Sequence, residues 1–181
     1  APRTAEESGK PLAQARGEYV LIMNNDCEVE PGWMSALLAV FQRDAGVGLA
    51  GSKLVRWDGR LQAAGSSLLP SGHALEIGHG DDPTLPAYEF PREVLFCAGA
   101  SMMLPRALFE QLGGLDELFL PCYFEDSDLA LRVRALGKKV VYEPRSVQLG
   151  LAVSAGSLLM TVVLAVGALA WERRLRTLAR P

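Results

Sequence analysis

Glu18-Tyr19-Val20-Leu21-Ile22-Met23 is a short apolar run of strand formers that stops abruptly at Asn24-Asn25-Asp26. Such a run suits a buried parallel strand, and the turn formers after it put polar groups at the strand's carboxyl end. The same alternation continues downstream. Pro31 opens a helix in the first-turn position that proline tolerates, and Trp33, Leu37, Leu38 and Phe41 give that helix one apolar face. Residues 47–55 read as one or two strands broken by Gly51, with a turn centred on Asp58-Gly59. Residues 94–97 and 101–104 read as strands around Gly99. Pro105 starts a helix that Gly113-Gly114 ends. Residues 126–136 form an amphipathic helix with Leu129, Val133 and Leu136 on one face and Arg132 and Arg134 off it. Residues 139–142 follow as a strand. Alternating strands and helices define an α/β domain. Residues 69–93 hold four prolines, three glycines and both histidines, and read as a long irregular loop of the kind that is usually functional or mobile.

The chain has 181 residues, 49% apolar and 22% charged, which is room for one globular domain and excludes a disordered tail, a collagen-like fibre or a small disulfide scaffold. A net charge of −3 argues against nucleic acid as a partner. Cys27, Cys97 and Cys122 are an odd count without CxxC spacing, and read as reduced thiols in a cytosolic compartment. From Ser146 to Trp171 there are 26 residues without a charged side chain, followed by Arg173, Arg174, Arg176 and Arg180. As a helix that stretch reaches about 39 Å, against roughly 30 Å for a bilayer core. The expected organisation is therefore a soluble domain over 1–145, a transmembrane helix over 146–172 and a basic tail over 173–181, with association to the membrane through the helix.

Two clusters carry candidate chemistry. Asn24-Asn25-Asp26-Cys27-Glu28 sits at the carboxyl end of a strand, where α/β sheets bind ligands and carboxylates hold a hard cation. It reads equally as a turn whose side chains cap backbone groups. Tyr123-Phe124-Glu125-Asp126-Ser127-Asp128 places three carboxylates at a helix start, with Asp126 as N-cap or as a general base held ionised by the helix terminus. Gly99 either admits a ligand to the backbone or marks a bulge. His73 and His79 have no metal-ligand spacing and read as solvated loop residues. No nucleophile elbow or phosphate-cradling glycine loop is present.

In order and spacing, Gly17 through Asp26 and Glu28 through Trp33 resemble family 2 glycosyltransferases of the GT-A (Rossmann-like) fold. So do Val47-Gly48 through Lys53-Leu54, Asp58 through Gln62, Ala98-Gly99-Ala100, Leu108-Phe109 and Gly113 through Glu117. The resemblance closes on Phe124 through Leu129 and Arg132, covers about residues 10–145, and is nearest to the rhamnosyltransferase-like group. It implies a partial GT-A domain that moves a sugar, with inversion, from a nucleotide-sugar donor to a glycan or lipid-linked acceptor in surface-polysaccharide synthesis. It further implies a divalent metal (Mg or Mn). Asp126, beside Glu125, would be the base; Asp26 the main metal ligand, with Asn24 and Glu28 as helpers; and Asn24, Asp26 and Gly99 would face the donor. Relative to the family the chain is expected to lack the first, nucleotide-holding strands, to carry Gln148 near the family's histidine, and to be inactive alone. The catalytic domain would face the cytoplasm. The rival readings are an inactive GT-A-like interaction module at the membrane and a membrane-anchored structural protein whose acidic clusters are only caps.

Overall fold

The computed structural model describes residues 17–24, 26–119 and 124–150. Along the chain the elements are strands β1 (Tyr19–Met23) and β2 (Cys27–Val29), helix α1 (Trp33–Arg43), and strands β3 (Val47–Arg56), β4 (Leu61–Ala63), β5 (Ser66–Leu68), β6 (Ala74–Glu76), β7 (Arg92–Glu93) and β8 (Ser101–Pro105). Helix α2 (Arg106–Gln111), helix α3 (Glu125–Ala135) and strand β9 (Lys139–Gly150) follow. Strands in the order β1-β8-β3-β9-β2 form the main sheet, with β4 paired to β3 and β7 to β9; β5 and β6 form a separate hairpin.

The sheet is a wall between two apolar layers, and strand alternation builds both. Leu49, Met102, Leu104, Val140 and Tyr142 point to the face covered by Leu108, Phe109, Leu129, Ala130 and Val133 of α2 and α3. Ala50, Met103 and Val141 point to the opposite face, against Leu37 and Val40 of α1. Successive residues alternating between two buried faces is the pattern of a sheet covered on both sides. The α/β expectation holds.

Several local expectations change. β1 is antiparallel to β8 and ends the sheet order, so the run at 19–23 is a half-buried outer strand and not a central parallel one. The parallel pair is β3 with β9. Residues 47–56 form one strand through Gly51, whose role is spatial: a Cβ there would stand 2.3 Å from Cys97 Cβ. Pro31 precedes α1, which starts after Gly32 in the left-handed region at φ 85°. Residues 94–97 contribute only an isolated bridge, Ser66 to Phe96.

The 69–93 segment is more ordered than an irregular loop. It contains β6, β7 and a single 3-10 turn at Pro86–Tyr88, and side chains tie it to the sheet. Lys53 Nζ donates to Pro83 O at 3.0 Å and pairs with Glu89. Tyr142 Oη donates to Tyr88 O at 2.9 Å, and the Arg92 guanidinium lies over both tyrosine rings. Gly78 has φ 78°, and a Cβ there would meet Leu61 and Tyr88 at 2.6 Å, so the turn and the packing both select glycine.

The largest correction lies in β9. The strand expected over 139–142 continues to Gly150. Ser52 pairs with Glu143 and Lys53 pairs with Val147, so three residues of β9, including Pro144, bulge out of register with β3. Proline, with no N–H, is placed where the ladder is already broken. Ser52 Oγ, at 2.7 Å from both Ser101 Oγ and Ser146 Oγ, stitches β8, β3 and β9 together at the bulge. Residues 146–150 are therefore strand, and the transmembrane helix expected over 146–172 does not begin there. Its remainder and the basic tail lie outside the described residues. Among the described residues no helix is long and apolar enough to cross a membrane.

Candidate functional site

The two acidic clusters, about a hundred residues apart in sequence, meet at one turn. Residues 98–100 lead into β8, and Ser101 N donates to Ala98 O at 3.3 Å, closing the turn. On one side Gly99 N donates to Asp126 Oδ2 at 2.9 Å. On the other Ala100 O accepts from Asn24 N at 3.1 Å. Consecutive residues of one turn thus hold the first turn of α3 and the end of β1.

Asp126 is not the N-cap. Phe124 occupies that position with φ 71°, left-handed and without a side-chain capping bond, so Asp126 lies inside the first helical turn. Its Oδ1 accepts from Ser127 N at 2.6 Å and its Oδ2 from Gly99, which fixes the carboxylate in plane and direction. The expectation that the helix terminus keeps it readily ionised also changes. Burial pushes its pKa above the usual aspartate range, the N–H donors of Gly99 and Ser127 pull back, and the Glu76 charge adds to the rise. Glu125 stands beside it: a Cβ built at Gly99 would lie 3.5 Å from Asp126 Cβ and 3.8 Å from Glu125 Oε1. Those are ordinary contacts, so the protein neighbours of Gly99 do not themselves demand a glycine.

Asp128, the third carboxylate, has a different job. It is 1% exposed and accepts from Arg132 Nε at 2.6 Å, one helical turn on. Arg132 Nη1 donates to Leu112 O at 2.8 Å and Gly114 O at 2.9 Å, so the pair pins α3 to the end of α2. The i to i+4 spacing of an acid and an arginine is the signal that could have found this pair; nothing in the spacing marks its burial. Leu136, expected on the apolar face, is 47% exposed beyond the helix end.

Asn24, Asp26 and Cys27 line a cavity of about 30 Å³ together with Leu54, Gln62, Ala100, Gln148 and Gly150. Asn24 and Asp26 are exposed at its mouth, and Cys27 Sγ donates to Asn24 O at 2.9 Å. Glu28 is not in this group. It faces Leu149 in β2, and strand alternation turns it to the other side from Cys27 and Val29. Gln62 and Gln148 were missed as site residues, Gln148 because the strand that carries it was read to stop before Pro144. His73 and His79 are exposed, bonded to Ser71 and Glu76 respectively, as expected of loop histidines. Cys97 is buried behind the site. Burial, with the Asp126 charge behind it, pushes its thiol up to about 12, so it is an inert packing group.

The donor set fits a hard divalent cation. Among the described residues no three His, Cys, Asp or Glu side chains converge as a metal cluster. Among the described residues the cavity instead offers one carboxylate and several amide groups, one of which, Gln148 Oε1, is buried without a hydrogen-bond partner there. Carboxylate, amide oxygen, water and substrate phosphate are the ligands that Mg²⁺ and Mn²⁺ take.

An O-antigen biosynthesis protein of Myxococcus xanthus is 38% identical over 137 residues, 71% of this chain and 10% of its own length. The N-acetylglucosaminyl-diphospho-decaprenol L-rhamnosyltransferase of Mycobacterium tuberculosis is 28% identical over 151 residues, 77% of this chain and 48% of its own. The crystal structure of GalNAc-T7 with UDP, GalNAc and Mn²⁺ superposes with a TM-score of 0.64 at 16% identity, covering 83% of this chain and 31% of that one, which shows a shared GT-A-like fold. The model of the glycosyltransferase-like family 2 matches residues 5–178, and the chain belongs to that family.

Proposed function

We propose that this domain transfers a sugar from a nucleotide-sugar donor to an acceptor hydroxyl, with inversion, in O-antigen or other cell-envelope glycan synthesis. The observation that carries the reading is the 98–101 turn, which joins Asp126 to the Asn24–Asp26 end of β1 through two adjacent residues. A base and a diphosphate-binding end held at fixed separation are what an in-line displacement at a sugar carbon requires. The O-antigen and rhamnosyltransferase relatives support the pathway class, and the Mn²⁺ and UDP held by the structural neighbour support the donor class.

In this reading Asp126 accepts the proton of the acceptor hydroxyl. The N–H groups of Gly99 and Ser127 hold it in place and leave lone pairs free for that proton. Its raised pKa makes it a stronger base than a surface aspartate. Asp26 and Asn24 would hold a divalent cation, which when bound would offset the negative charge of the leaving diphosphate. Gly99 borders the donor sugar and Glu125 flanks the base. The acceptor is a glycan or a lipid-linked saccharide, and the domain works on the cytoplasmic side of the membrane, where nucleotide sugars are supplied.

The chain spans 10% and 48% of the two relatives' lengths, so transfer is assayed in a polypeptide of their length carrying this sequence. Calorimetric titration of UDP and GDP, each with Mn²⁺, tests donor binding directly. Binding that needs Mn²⁺ and is lost in Asp26→Asn supports the reading. Equal titrations of wild type and Asp26→Asn, with no nucleotide bound, favour an inactive interaction module.

A further inference from the structure

Strand β9 carries a glutamine where its neighbours set an apolar environment. Gln148 is directly opposite Val29 in β2 and Leu54 in β3, so all three side chains share one face of the sheet. It is 2% exposed. A leucine or valine would satisfy that position by packing alone. The amide oxygen, Oε1, has no hydrogen-bond partner among the described residues. A buried acceptor left without a donor opposes folding, and such groups are rare unless something outside the protein answers them.

What Gln148 shares is the cavity of about 30 Å³ that Asn24 and Asp26 also line. A space of that size holds one small ion or one water. Because Gln148 projects from the middle of a two-sided ladder, its position is set before any ligand arrives. Asp26 at the exposed rim brings the only carboxylate that lines the cavity among the described residues.

We propose that Gln148 Oε1 is a ligand of the divalent cation bound at Asp26, making the site one carboxylate plus neutral amide oxygens. The inference rests on the glycosyltransferase reading for the presence of the cation and goes beyond it in naming the buried donor. Two properties follow from the donor set. Carboxylate and amide oxygens are hard donors of the kind that suit Mn²⁺ and Mg²⁺. One negative charge neutralises half of a divalent ion, so a diphosphate that brings its own charge binds the ion together with the protein far better than either alone.

The test is Mn²⁺ binding to the 181-residue chain, read from the electron paramagnetic resonance signal of the free ion, with and without UDP. Gln148→Met keeps the shape and removes the amide; it is expected to weaken Mn²⁺ binding at least tenfold. Its melting temperature in EDTA is expected to equal or exceed that of the wild type, since the orphan acceptor is gone. Gln148→Glu restores an oxygen and should recover or exceed wild-type Mn²⁺ affinity. Mn²⁺ affinity within twofold of wild type in Gln148→Met, while Asp26→Asn loses binding, overturns the Gln148 assignment and leaves the glycosyltransferase reading intact. A Gln148-dependent Mn²⁺ site that UDP does not tighten supports the assignment and counts against the donor reading. No Mn²⁺ binding by wild type, even with UDP, overturns both.

Discussion

Asp126 is the residue on which sequence and structure differ most usefully. Its place at a helix start was readable; its engagement by Gly99 was not, because a contact across 27 residues leaves no mark in local spacing. The burial that follows reverses the expected direction of its pKa. Two measurements test its role. Asp126→Asn keeps the volume and most of the hydrogen-bond geometry, so donor binding should stay within about twofold of wild type. Transfer should fall about 10²- to 10⁴-fold, the usual cost of removing a general base. Because the base must be ionised and its pKa is raised, the acid limb of the kcat/KM profile should lie above the ordinary aspartate value of about 3.9, and activity should fall as pH drops through it. Retention of near-full turnover in Asp126→Asn would return the residue to a structural role. Gly99 offers a second, sharper contrast. Alanine there makes ordinary contacts with Asp126 and Glu125, so Gly99→Ala should fold with an unchanged melting temperature. If the donor sugar lies against this backbone, donor affinity should drop at least fivefold in the same variant; unchanged affinity would remove Gly99 from the donor site.

At the scale of elements, the helices were legible and the strands were legible only in part. Helices announce themselves by their ends: Gly113-Gly114 and Gly137 stop α2 and α3 close to where the sequence put the stops. Strand pairing depends on partners that sequence spacing cannot name, which is why β1 was assigned a parallel neighbour. β9 shows the physical reason most clearly. Pro144 looks like a strand terminator, and it is tolerated because the strand bulges there and the serine hydroxyls of β3, β8 and β9 hold the bulge. Without knowledge of the bulge, the apolar residues after it read as the start of a membrane helix. The anchoring of α3 carries its own prediction. Asp128→Asn leaves Arg132 with an uncompensated charge in a site where Asp128 is 1% and Arg132 16% exposed. Breaking such a pair costs about 3–5 kcal/mol. Urea unfolding should show a loss of that order; a loss under about 1 kcal/mol would mean that α3 is held by its apolar face alone.

Across the whole molecule, Glu143 joins layers that the sheet separates. Its carboxylate is fully buried in β9 and accepts from Arg43 Nη2 at the end of α1, at 2.6 Å, and from Arg145 Nε at 2.9 Å. Burial alone would raise its pKa, but the hydrogen bonds from Arg145 and Arg43 prevail and hold it below the usual glutamate range. A carboxylate with a lowered folded-state pKa stabilises the fold at all pH values above its unfolded pKa, about 4.3, and loses that contribution as pH falls through the folded value. Urea melts from neutral pH down to about pH 3 should therefore show a steep acid loss in wild type and a shallower one in Glu143→Gln. At neutral pH that variant should be less stable by about 1.5–3 kcal/mol, the range for hydrogen bonds to charged groups. Parallel acid limbs in the two proteins would show that other carboxylates govern acid unfolding. A different consequence follows from the turn before β8. Since Gly99 grips Asp126 and Ala100 grips Asn24, the distance between these two residues, which the proposed reaction assigns to proton acceptor and leaving-group end, is gauged by a few bonds of main chain. That gauge does not run through the 69–93 segment. In the proposed reaction its exposed positions, such as Leu75 and Leu85, can change to suit a new acceptor while that distance stays where it was; Gly78 and Tyr88, packed against the sheet, are held in place.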